Sequence, residues 1–139
     1  MSASESGRFQ RPRWFILHDR DVGALTDMLA YANEAVRMVE AKERREVERD
    51  RVLNLALQRL IKVIGEAAGR VSDECREACP DLPWRQMIGM RNRLIHGYDS
   101  VDPDILWDTV TGDLPNLAQQ LRAVLRQHAP QQLKDYPDA

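Results

Sequence analysis

The stretch GMRNRLIHGYDSVD, residues 89–102, gathers Arg91, Asn92, Arg93, His96 and Tyr98, while the other two histidines, His18 and His128, stand far from any comparable cluster. Four residues separate Arg91 from His96, and Tyr98 follows two positions later, giving the pattern R-x4-H-x-Y. A guanidinium binds phosphate bidentately and neutralises it, and an imidazole exchanges protons near neutral pH, so the pair suits phosphodiester chemistry. With RNA as substrate the 2′-hydroxyl is an internal nucleophile and no metal-bound water is required. His96 could deprotonate that hydroxyl or protonate the leaving oxygen. Asn92, four residues before His96, could orient the imidazole or touch a phosphate oxygen.

The elements that must hold these residues all read as helices. Val22, Leu25, Met28/Leu29, Ala32, Val36 and Val39 recur at helical spacing and predict a first helix entered near Asp19 or Asp21. The run AKERREVERD then interrupts with mixed charge and reads as a solvated stretch. Val52, Leu55/Ala56, Leu60, Val63/Ile64 and Ala67 mark a second helix ending near Gly69. Gly65 inside it costs about 1 kcal/mol against Ala, which points to close helix packing. Ser72 is placed to cap a short helix over DECREAC, stopped by Pro80 and Pro83. A fourth helix runs from Trp84 towards His96, with Gly97 as its stop. Asp102 and Pro103 then open the last helix, which buries Ile105/Leu106, Val110, Leu114, Leu117, Leu121 and Val124/Leu125, with a kink expected at Pro115. No strand-like alternation appears, so the expected fold is all-α, an up-and-down bundle of four to five helices.

On an ideal helix, Arg91 and His96 lie about 140° out of phase and share no face. A two-fold dimer that brings the segment of both copies together would supply a pair of each around one groove. If His96 occupies the last turn of its helix, the negative end of the macrodipole favours its protonated form.

At 139 residues the chain suits one domain. The expected division is an N-terminal extension over residues 1–18, partly disordered, a helical bundle over 19–128 and a flexible tail over 129–139. No apolar run approaches the roughly 20 residues of a membrane span, and the N-terminus lacks the apolar core of a signal peptide, so a cytoplasmic protein without membrane contact is expected. A formal net charge of −2 excludes a general nucleic-acid coat and confines any nucleic-acid contact to a local patch. Cys75 and Cys79 have no paired companion ligands for zinc and read as two reduced thiols on one face of a short helix. No metal and no cofactor is expected.

Each feature of the cluster also has a structural reading, since His and Arg favour helix C-termini and Tyr beside Gly often anchors a loop. R-x4-H alone is a short pattern. The longer segments IGEAA, PW..MIGMRNRLIHGY and VD...LWDTV...LP, in that order, are more specific. Over roughly residues 20–127 the chain resembles the HepT-like toxins of the HEPN superfamily.

That resemblance implies an all-helical homodimer whose R-x4-H motifs meet at the interface as a metal-independent endoribonuclease site. It implies Arg91 and His96 as the catalytic pair, Asn92 as the supporting polar residue, and Tyr98 as the motif tyrosine. It also implies a type II or related toxin–antitoxin pair, in which a small nucleotidyltransferase of the MntA type transfers AMP from ATP onto that tyrosine and blocks RNA. The competing expectation is a non-catalytic helical module that binds a nucleotide or that partner, with Arg91 and His96 only contacting phosphate.

Overall fold

The computed structural model describes residues 17–95 and 100–135. Helix α1 (Asp19–Val39) begins with two acidic residues in its first turn, Asp19 and Asp21, which suit the positive end of the helix. Its residues Val22, Leu25, Met28, Leu29, Ala32, Ala35 and Val39 recur every three or four positions and are all buried. Two long helices, α3 (Arg51–Gly69) and α7 (Leu114–His128), pack against it, so α1 is the centre of the bundle. Leu17, just ahead of it, belongs to the same core.

Within the charged run that reads as solvated lies a short helix, α2 (Arg44–Arg49), and its Val47 is 2% exposed. One buried valine is enough to seat it, while Arg44 pairs with Glu48 at 3.1 Å and with Asp104 further along the chain. Asp50 then caps α3, accepting the Leu53 backbone N–H at 3.0 Å. The core face of α3 is Leu57, Leu60, Ile61, Ile64, Ala67 and Ala68. Val52 and Leu55, which share its apolar periodicity in the sequence, are instead 79% and 47% exposed.

The next connection is held by polar contacts. Ser72 caps α4 (Asp73–Ala78) by accepting the Cys75 N–H at 3.1 Å. Ser72 is itself held by Asp21, a buried carboxylate that accepts the Ser72 backbone N–H at 2.9 Å and its hydroxyl at 2.7 Å. Arg76 donates to the carbonyls of Ala68 and Gly69 at 3.2 and 3.1 Å, satisfying the end of α3, and lies 6.0 Å from the centre of the Trp84 ring. Cys75 and Cys79 are not joined in a disulfide and both are buried. A hydrogen bond with Cys79 and burial both push the Cys75 thiol upward, so it stays neutral.

Helix α5 (Trp84–Leu94) packs on α3, its Met87 and Ile88 carbonyls beside Gly65, and buries Met87, Met90 and Leu94. The two helices run antiparallel: the start of α5 meets Gly65, while Arg91 and Leu94 at its end border a cleft with Asn54 and Gln58 of α3. Asp102 caps α6 (Pro103–Asp108), accepting the N–H groups of Asp104 and Ile105 at 2.9 and 3.2 Å, with Pro103 in the first turn.

The helical path then continues into α7 through a π turn at Thr109–Asp113, closed by a Leu114 N–H to Thr109 C=O bond. Pro115 does not divide the helix. It offers no N–H, its ring crowds the carbonyl four residues back, and a wider turn just ahead of it relieves both. A 3₁₀ turn, Pro130–Asp135, follows α7.

Among the described residues there is no strand, only one antiparallel bridge between Ile95 and Val101, and no helix is long and apolar enough to cross a membrane. The fold is an all-α bundle.

Candidate active-site cleft

The three consecutive polar residues Arg91, Asn92 and Arg93 are separated by the geometry of α5. Met87, Met90 and Leu94 turn into the core, which leaves Arg91, Asn92 and Arg93 exposed. Arg91 lines a cleft of about 430 Å³ between α5 and α3. Arg93 lines a different groove, towards α7, and its guanidinium lies 3.9 Å from the Asp113 carboxylate in the π turn. Asn92 is exposed and lines neither.

His96 and Tyr98, and the expected stop at Gly97, lie outside the described residues. Their nearest described neighbours border the Arg91 cleft, which is lined by Leu94 and Ile95 on one side of the segment and by Ser100 and Val101 on the other. The helix itself ends earlier than expected. Its last residue is Leu94, and Ile95 is extended at φ −74° and ψ 124°, bridged to Val101 while the Leu94 carbonyl accepts the Asp102 N–H at 2.9 Å. Main-chain pairing with Val101 and Asp102 therefore ends α5. A helix that stops at Leu94 removes the premise of the 140° phase between Arg91 and His96, and with it the macrodipole argument for His96 and its helical i to i+4 relation to Asn92.

The far wall of the cleft was not singled out in the sequence. Arg51, Asn54, Gln58, Arg59 and Lys62 of α3 line it, opposite Arg91. The signal is a polar stripe at 51, 54, 58 and 62, three to four residues apart, along the edge of the α3 core face formed by Leu57, Ile61 and Ile64. The four large apolar residues most exposed among the described ones, Val52, Leu55, Ile88 and Ile95, also lie on α3 and at the outer face and end of α5. Ile88 and Ile95 stand three positions before and four after Arg91, so apolar surface flanks the arginine on both sides.

The all-helical bundle agrees with what the chain is related to: residues 28–124 match the ribonuclease HepT-like family, and the chain belongs to it. A candidate RNase of Methanocaldococcus jannaschii, MJ1380, is 34% identical over 106 residues, 76% of this chain and 97% of that protein. A candidate ribonuclease HepT of Thermococcus cleftensis is 40% identical over 68 residues, 49% of this chain and 62% of that one. A candidate RNase of Caldanaerobacter subterraneus, TTE0752, is 37% identical over 78 residues, 56% and 70% of the two chains. No solved structure matches.

Proposed function

We propose that the chain is an endoribonuclease toxin that cuts RNA by attack of a 2′-hydroxyl on the adjoining phosphate. The observation that carries the reading is Arg91: an exposed arginine at the mouth of a cation-lined cleft, in a chain whose relatives carry ribonuclease names. Arg91 binds the non-bridging oxygens of the reacting phosphate and neutralises charge as it builds. His96 takes the proton from the 2′-hydroxyl. The 2′-oxygen then bonds to phosphorus, the bond from phosphorus to the 5′-oxygen breaks, and that oxygen receives a proton from the partner subunit's His96. The products are a 2′,3′-cyclic phosphate and a 5′-hydroxyl, and no metal takes part.

The two-fold arrangement is supported by the exposed Val52, Leu55, Ile88 and Ile95, of which Leu55 and Ile95 line the cleft, and which a second copy would cover. Two clefts would then face each other across one groove. Tyr98 is the acceptor for AMP transferred by a partner nucleotidyltransferase, which places a bulky anion beside the site and excludes RNA. In a cell the pair acts as toxin and antitoxin in the cytoplasm.

The test is incubation of the purified chain with single-stranded RNA in the presence of a chelator. Cleavage products ending in cyclic phosphate are expected from the unmodified chain and not from His96→Ala. Intact RNA with the unmodified chain, or equal cleavage by both, overturns the reading.

A further inference from the structure

We propose that Arg51, Arg59 and Lys62 of α3 form, together with Arg91, a track for the phosphates of a single RNA strand, extending the site beyond the bond that is cut. The inference rests on the ribonuclease reading above and names where the rest of its substrate lies.

Four cations and no carboxylate line the cleft, in a chain whose formal net charge is −2. Lys62 approaches only Glu66, at 4.0 Å, and Arg51, Arg59 and Arg91 form no ion pair among the described residues. Like charges gathered on one concave surface repel one another and focus a positive potential, a field that a polyanion relieves. The track has length as well as charge. From Arg51 to Lys62 is eleven residues of helix, about 16 Å along its axis, enough for more than one phosphate.

The rest of the lining suits nucleotides. Asn54 accepts a hydrogen bond from the Gln58 amide at 2.7 Å, which leaves the Asn54 N–H groups and the Gln58 carbonyl free to meet base edges or a 2′-hydroxyl. Leu55 and Ile95 offer apolar surface to a base face. Polar edges beside apolar surface suit unpaired bases, whose faces and edges are both accessible. An acidic segment of a partner protein would find the same cations. RNA is favoured because the α3 cations share one continuous cleft with Arg91, the residue assigned to the reacting phosphate.

The test uses the full chain carrying His96→Ala, so that RNA is bound without being cut, with a fluorescein-labelled oligouridylate read by anisotropy over a range of salt. Adding Arg59→Ala and Lys62→Ala should weaken binding about tenfold and flatten the slope of log affinity against log salt by about 1.4, since each single-strand contact contributes about 0.7. The charge-conserving exchange Arg59→Lys with Lys62→Arg should restore both. Unchanged affinity in the double alanine variant overturns the track and leaves the ribonuclease reading standing. Weaker binding with an unchanged salt slope also overturns it, because the two residues would then act through structure. If RNA affinity is unchanged but the partner nucleotidyltransferase no longer associates, the cations belong to that interface instead. Failure of the His96→Ala chain to bind the oligonucleotide at all removes both proposals.

Discussion

Gly65 of α3 and Met87 of α5 meet so closely that a Cβ at Gly65 would lie 3.0 Å from the Met87 carbonyl oxygen. Arg91 follows Met87 by one helical turn, so this contact sets how far the arginine stands from the α3 wall of the cleft. Gly65→Ala gains about 1 kcal/mol of helix propensity but pushes against backbone, where overpacking costs about 1–3 kcal/mol. The expected result is a small loss of thermal stability and a measurable loss of RNA cleavage. Gly65→Val, bulkier and β-branched, should lose most of both. A calorimetric scan and a cleavage assay on the same samples check this, and a fully active, fully stable Gly65→Val chain contradicts it.

Arg91→Ala separates chemistry from folding. The side chain is exposed and makes no ion pair among the described residues, so unfolding free energy should change by no more than about 0.5 kcal/mol. Cleavage should fall by about a hundredfold or more if the guanidinium stabilises the charge that builds on phosphate. Arg93→Ala should leave most of the cleavage, because Arg93 faces α7 and Asp113.

Asp21→Ala is expected to act the opposite way. It leaves the Ser72 N–H and hydroxyl without their acceptor and loosens the cap of α4, a loss of about 1–3 kcal/mol by chemical denaturation. Once corrected for the folded fraction, cleavage should be near that of the unmodified chain.

The thiols give a prediction that needs no activity. Cys75 is buried and its pKa raised, so neither it nor the buried Cys79 should react with a disulfide reagent at neutral pH in the native chain. Two equivalents should react in denaturant. Rapid reaction of native protein would show that α4 opens readily.

Ile88→Asp with Ile95→Asp should lower the mass measured by light scattering from two copies to one and remove cleavage without a large loss of helicity, since both side chains are already exposed. Tyr98→Phe lacks only the hydroxyl proposed to accept AMP, and should still cut RNA while resisting the partner nucleotidyltransferase. Mass spectrometry after incubation with that enzyme and ATP should find AMP on the unmodified chain's Tyr98 peptide.

Most of the scaffold could be read from periodicity and punctuation. Asp102 with Pro103, Ser72 and the packing role of Gly65 each follow from local chemistry that the fold leaves undisturbed. Long-range contacts decided what could not be read. α5 ends at Leu94 because Ile95 pairs with Val101, and no residue in RLIHG announces that pairing. Val52 and Leu55 carry core periodicity yet face outward, Leu55 as part of the cleft lining. Arg59 and Lys62 look like ordinary helix-surface cations until α5 brings Arg91 across from them. The expectations at His96 and Tyr98 rest on the sequence and the resemblance.

The bridge between Ile95 and Val101, with the Leu94 carbonyl bonded to the Asp102 N–H, joins the end of α5 to the start of α6 independently of what lies between. The two ends of the segment that carries His96 are thereby held at the cleft that Arg91 lines.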